Sequence, residues 1–218
     1  MSRFPFLPTS AQLPRTLPVF PLPGALVMPG SELPLNIFEP RYLNMVEDAL
    51  GSHRLIGMIQ PALAAGAPRH ALSRSGCAGR ITQFRETADG RIELVLTGAC
   101  RFDAGEELST TRGYRMLVPE WGRFVADCAE PAPSALLQRA QLLTALHTYF
   151  DAKDLQADWS RLERLDARRV LNSLTCVLPL DNADKQALLE TADEDERARL
   201  FIALLGTASA GAAGATQH

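Results

Sequence analysis

Residues 17–42 read LPVFPLPGALVMPGSELPLNIFEPRY, with six prolines and two glycines set among Val, Leu, Ile and Phe. Proline has no backbone donor, which confines it to edges, turns and the first turn of helices. Short strands broken in this way predict the rim of a small β-barrel or rolled sheet, not a flat central sheet. Leu33, Leu35 and Ile37 alternate with Glu32, Pro34 and Asn36, which gives one buried face. The stretch closes on Phe38-Glu39-Pro40-Arg41-Tyr42, a strand passing into a helix with Pro40 in its first position. There Glu39 is expected to satisfy free N–H groups, and Phe38 and Tyr42 to pack inward. Tyr42, Met45, Val46, Ala49 and Leu50 fall on one stripe of a helix over residues 40–50, with Gly51 in the C-terminal cap position.

Outward from this stretch, strand periodicity continues to about residue 125. Arg54–Gln60 is a nearly continuous apolar run and predicts a central strand. Residues 61–74, rich in Ala, Gly, Pro and Arg, predict a mobile loop. Ala78–Thr87 and Arg91–Thr97 flank Asp89-Gly90 and predict a hairpin, with Ile92, Leu94 and Leu96 facing one way. Tyr114, Met116 and Val118 alternate again before Trp121. Past residue 131 the period becomes helical. Ser134 is the expected cap of a helix reaching Phe150, with Leu136, Ala140, Leu143, His147 and Phe150 on its inner face. Asp166 is expected to cap a second helix, with Val170, Leu171, Leu174, Val177 and Leu178 inward. Asp181 is expected to cap a third, and a Thr191/Glu194 capping box a fourth that ends at Gly206. The expected organisation is a flexible arm over 1–13, a β-rich part over 14–125, a helical part over 131–206 and a disordered tail over 207–218: an α+β chain.

The chain has 218 residues, 46% of them hydrophobic and 22% charged, with a formal net charge of −3. That balance disfavours a dedicated nucleic-acid binder. No apolar run approaches bilayer-spanning length, and prolines interrupt the N-terminus where a signal peptide needs a continuous apolar stretch. Cys77, Cys100, Cys128 and Cys176 are widely spaced, which fits reduced thiols in a cytoplasmic protein. The four histidines lack zinc-ligand spacing. The run Asp193–Glu196 fits a helix start, where acidic side chains are favoured.

The opening stretch resembles the N-terminal domain of Lon proteases, whose pattern runs LP-x-FPL and then PG-x-x-LPL-x-(I/V)FE-x-RY. Here the pieces are Leu17–Leu22, Pro29-Gly30, Leu33–Leu35 and Ile37–Tyr42. The resemblance continues through Gly76–Ile81, Asp89-Gly90, Leu96–Gly98 and Arg101-Phe102, and through Leu178–Leu180 and Lys185–Glu190. It covers about residues 14–206 and implies a PUA-like β-barrel followed by a C-terminal helical bundle. It also implies a stand-alone form of that domain. The sequence contains no G-x-x-x-x-G-K-[ST] loop and no G-x-S-x-G or H-E-x-x-H motif. Its two lysines, Lys153 and Lys185, follow acidic neighbours and are expected to face solvent, a poor setting for a Ser-Lys dyad.

The resemblance therefore implies a non-catalytic module that binds unfolded or specific protein partners, with no cofactor and no metal. Its candidate contacts are Arg41 and Tyr42 at the strand–helix junction, and Trp121 and Phe124 near the boundary between the two parts. Burial is the competing reading for the last pair. A PUA-like RNA binder is the alternative: Arg69, Arg74, Arg80, Arg85, Arg91 and Arg101 outnumber Glu86, Asp89 and Glu93. Strand alternation scatters those arginines, however, and only Phe84 and Phe102 stand near for stacking. A peptidase-related hydrolase is the remaining alternative.

Overall fold

The computed structural model describes residues 7–62, 66, 68, 70–129 and 139–215. The strands are β1 (Leu17–Pro21), β2 (Glu32–Ile37), β3 (Leu55–Pro61), β4 (Leu72–Glu86), β5 (Ile92–Leu108) and β6 (Arg115–Glu120). The helices are α1 (Pro40–Leu50), α2 (Arg139–Ala152), α3 (Trp159–Arg164), α4 (Ala167–Val177), α5 (Asn182–Glu190) and α6 (Glu194–Ala215). The class is α+β, as the sequence indicates.

The strand order is β2-β5-β4-β3-β1-β6, and a further pairing of β5 with β6 closes five of the six strands into a ring. The 17-residue β5 makes this possible: Ile92–Thr97 pair with β2, and Asp103–Leu108 pair with β6. β1 and β3 run parallel, and α1 lies in the crossover between them. Apolar residues fill both faces of the sheet. Leu17 and Val19 of β1 and Leu55 and Ile59 of β3 meet Phe102 and Leu117 on one face. Phe20, Ile56 and Met58 meet Tyr42, Met45 and Val46 of α1 on the other. This double burial explains why Arg54–Gln60 reads as a continuous apolar run. Phe102 fits because Gly57 and Gly76 lie under its ring, where a Cβ would come within 2.9 and 2.7 Å of Cζ.

The Asp89-Gly90 hairpin forms as expected. Gly90 takes φ 80°, and Thr87 N–H donates to the Arg91 carbonyl at 2.9 Å. Both strands outrun their expected ends because pairing with β3 and β6 extends them. Thr97, expected to face away from Leu96's side, is buried nonetheless, with its hydroxyl against Thr82 at 2.9 Å.

The helices close over a second core containing Leu142, Leu146, Tyr149, Val170, Leu171, Phe201 and Leu205. The inner face of α2 is therefore Leu142, Leu146, Tyr149 and Phe150; Ala140 and His147 are exposed. Neighbouring leucines at 142 and 143 make both stripes plausible in sequence, and packing on α6 selects one. His147 stacks on Trp159 at 3.6 Å instead. Val177 is 70% exposed, because α4 ends there and Leu178 turns inward. Asp193, not Thr191, caps α6, accepting from Glu196 N–H at 2.8 Å. The helix runs past Gly206 to Ala215, through alanines that favour helix. Lys185 is buried, not solvent-facing, and its Nζ donates to the Cys176 carbonyl at 3.4 Å. Of the expected arm, residues 7–13 hold a 3₁₀ turn at Ser10–Gln12, and Leu7 packs beside the Phe102 cluster. The expected Ser134 cap, Leu136, the start of the arm, most of the loop after residue 62 and the end of the tail lie outside the described residues.

Candidate functional site

The strand–helix junction is built from the opening stretch. Pro40 starts α1 with Glu39 as N-cap, but Glu39 makes no side-chain cap bond. Its carboxylate instead takes the Arg41 guanidinium, at 2.8 Å from Nη2 and 3.0 Å from Nε. Arg41 also lies 4.5 Å over the Tyr42 ring, and Phe20 covers Tyr42 at 4.2 Å between centroids. Burial raises the Tyr42 phenol above its ordinary value, and the Arg41 charge opposes that rise. Phe38, expected to pack inward, is 63% exposed, because the chain turns outward where β2 ends.

Arg41 and Tyr42 line a cleft of about 220 Å³ together with Pro21, Pro61, Leu72, Tyr114 and Arg115. Arg115 grips Glu107 with two prongs, at 2.6 and 2.5 Å, and donates to the His70 carbonyl at 2.8 Å. Those bonds hold Glu107 below the usual carboxylate range. The Tyr114 hydroxyl donates to Asp48 at 2.8 Å. Sequence reading saw the first half of this cleft and missed Tyr114 and Arg115, which reach it only through the β1–β6 pairing.

Trp121 and Phe124 lie elsewhere, at the seam between barrel and helices. Trp121 packs edge-on against Phe102, with centroids 5.8 Å apart, and donates to the Pro14 carbonyl at 3.1 Å. Phe124 is 1% exposed, held between the Arg101 and Arg123 guanidinium groups at 4.4 and 4.3 Å. The structure thus joins Arg41 to Tyr42 and places the other two apart from them.

A third surface lies on the proline-broken rim that the opening stretch predicts, whose exposed edge is a candidate for backbone pairing with a peptide. β2 is a terminal strand of the sheet with β5 as its only neighbour among the described strands. Leu35, Leu94 and Phe84 are opposed in register across β2, β5 and β4, and Phe84 is 49% exposed. Exposed Phe38 follows β2 directly, with Arg91 5.9 Å over its ring. The free edge therefore presents backbone groups beside the open ring of Phe38, while Phe84 lies two strands inward on β4. Among the described residues there is no cluster of three or more His, Cys, Asp or Glu able to hold a metal ion, and no helix is long and apolar enough to cross a membrane.

The sequence profile of the "ATP-dependent protease La (LON) substrate-binding domain" matches residues 16–207. The chain is similar to Lon protease 2 of Thermus thermophilus, 26% identical over 208 residues that cover 88% of this chain and 24% of that protein. It is also similar to Lon protease of Dictyoglomus thermophilum, 26% identical over 188 residues, covering 85% and 23%. The chain thus spans about a quarter of the length of these relatives. The solved Lon N-terminal domain protein from Xanthomonas campestris superposes with a TM-score of 0.63 at 26% identity, covering 86% of this chain and 97% of that one. The N-terminal domain of Mycobacterium avium complex Lon protease superposes at 0.64 with 18% identity, covering 88% and 98%, a likeness of fold.

Proposed function

Because the chain belongs to the family of Lon substrate-binding domains, we propose that it is a non-catalytic recognition module for unfolded or degradation-bound polypeptide, linked to protein quality control. The observation that carries this reading is the free edge of β2 that runs directly into the exposed ring of Phe38. An extended peptide adding to that edge gains main-chain hydrogen bonds from β2 and apolar contact from the Phe38 ring, a mode open to many sequences. Pro34 withholds one N–H from β2, so an added peptide pairs with the remaining backbone groups of the strand. Arg41 and Tyr42, around the end of β2, extend this surface toward the junction cleft. The division into a β-rich part at 14–125 and a helical part at 131–206 belongs to the same proposal, with the β-rich part carrying the contacts.

The test is fluorescence anisotropy with a labelled, permanently unfolded polypeptide, alongside a gel that reads cleavage. Saturable binding without cleavage, weakened in Phe38→Ser, is the expected result. Binding unaffected by that substitution removes the β2 edge as the site. Turnover of the polypeptide overturns the non-catalytic reading.

A further inference from the structure

A second cleft, of about 760 Å³, opens on a different side of the barrel, between the N-terminal strap and the start of β3. Its walls include Leu7, Leu13, Arg15, His53, Leu55 and Arg80, and among the described residues no aspartate or glutamate lines it. The strap is built, not draped. Thr9 N–H and Oγ1 both meet Gln12 Oε1, at 3.0 and 3.2 Å, closing the 3₁₀ turn. Trp121 holds the Pro14 carbonyl, and Leu7 packs beside the Phe102 cluster. On the opposite wall Arg80 of β4 donates through Nη1 to the His53 carbonyl at 3.2 Å, which fixes its head at the cleft. Arg15 is exposed, and Arg54, next to His53, is exposed as well.

Ten ion pairs join charged side chains elsewhere on the described residues, yet none uses Arg15, Arg54 or Arg80. Across a chain of net charge −3, this is a concentration of positive charge without a local counter-ion. Clefts lined by one sign of charge with apolar walls focus the field and draw in ligands of the opposite sign.

We propose that this cleft binds acidic segments of the polypeptide substrate, which deepens and rests on the recognition reading above. The leucines and prolines of the strap suit apolar residues within such a segment, and the two arginines suit its carboxylates. Single-stranded RNA would also meet the charge, but its bases need aromatic platforms, and among the described residues the cleft wall contains none beyond the His53 imidazole.

The experiment uses the full chain and two labelled unfolded peptides of equal length, one carrying a run of Asp and Glu where the other carries Ser and Gln. A labelled single-stranded RNA is the third probe, and all are read by anisotropy at low and moderate salt. The acidic peptide is expected to bind about tenfold more tightly, with the advantage shrinking as salt screens it. Arg15→Gln/Arg80→Gln is expected to erase that advantage and leave the neutral peptide unchanged. Arg15→Gln alone, on an exposed loop residue, is expected to erase part of it, so the test survives any misfolding of the double variant. Equal affinities for the two peptides, or an acidic preference untouched by the arginine substitutions, overturn the cleft assignment while the recognition reading stands. Failure of both peptides to bind overturns both. Tighter binding of RNA than of the acidic peptide, lost in the same variants, replaces the peptide with nucleic acid.

Discussion

Arg101 and Asp127 meet in a two-pronged contact, Nε to Oδ2 at 2.8 Å and Nη2 to Oδ1 at 3.0 Å, with Arg101 only 3% exposed. The same guanidinium donates through Nη1 to the carbonyls of Leu189 and Thr191, at 3.1 and 2.7 Å. One buried cation therefore ties β5, the turn before residue 130 and the α5–α6 connection together. Removing the carboxylate leaves that cation buried without its counter-charge. Asp127→Ala is expected to cost about 3–5 kcal/mol, and Asp127→Asn less, because one acceptor remains. Urea unfolding of the two variants measures this. A loss under about 1 kcal/mol for Asp127→Ala would mean that water reaches Arg101.

Gly98 permits the closest backbone approach to β5. Its N–H donates to the Ser31 carbonyl at 2.9 Å, and its own carbonyl accepts from Gly30 N–H at 2.9 Å. A Cβ there would overlap the Met28 carbonyl oxygen. That oxygen cannot easily give way, since the Ser31 hydroxyl accepts from Met28 N–H at 2.8 Å and donates to Met28 O at 2.9 Å. Gly98→Ala is expected to destabilise by about 1–3 kcal/mol or to prevent folding. Gly122→Ala, where an added Cβ meets nothing within 4 Å, is expected to stay within about 0.5 kcal/mol of the parent. Thermal unfolding of the pair compares them.

What could be read from the sequence divides by range. The Asp89-Gly90 hairpin, the helix over residues 40–50 and the Asp166 cap rest on neighbours a few positions apart, and each appears where its local chemistry put it. Glu39 and Phe38 misled because the motif's local logic competes with Arg41 for the carboxylate and with an outward turn for the ring. The Arg101–Asp127 clamp spans 26 positions and the Arg101–Thr191 bond 90, so no pattern announces either. Similarly, Arg15 and Arg80 become neighbours of one cleft only after the strap folds against β3 and β4. Of the four residues singled out for partner contact, Arg41 and Tyr42 share a cleft because they are sequence neighbours. Phe124 illustrates how an aromatic between arginines can belong to a buried seam.

Alkaline stability should report on Tyr114. Burial, together with the Asp48 carboxylate that accepts its hydroxyl proton, pushes its pKa up to about 12 from an ordinary 10.0. A pKa raised on folding contributes stability that is fully present below the unfolded value and disappears as pH climbs through the folded one. The window is thus pH 10 to 12. Burial also raises Tyr42 and Tyr149, so Tyr114→Phe should flatten part of the decline, not all of it. At neutral pH the variant is expected to lose about 1 kcal/mol with its hydrogen bond. Denaturant unfolding across pH 8–12 checks both effects. Parallel curves for parent and variant would remove Tyr114 as a source of the dependence.

Cys100 and Cys128 form a thiol pair beside the Arg101–Asp127 clamp, and their surroundings set them apart chemically. Cys100 is fully buried, and its Sγ lies 3.3 Å from the Phe124 carbonyl, to which it donates. Cys128 is only half-buried, and the neighbouring Cys100 thiol lowers its pKa below the ordinary thiol value. Burial raises Cys77 and Cys176 in the opposite direction. Since the thiolate is the nucleophile, iodoacetamide at neutral pH should alkylate Cys128 first, about tenfold faster than the other three. Cys100→Ala removes that neighbouring polar group and should slow Cys128 by shifting its rate profile to higher pH, whereas Cys100→Ser keeps a polar hydrogen there and should keep most of the reactivity. Site-resolved mass spectrometry of timed reactions follows each thiol. A Cys128 profile that is the same in the alanine and serine variants would show that exposure alone, not the polar group at position 100, governs its reactivity.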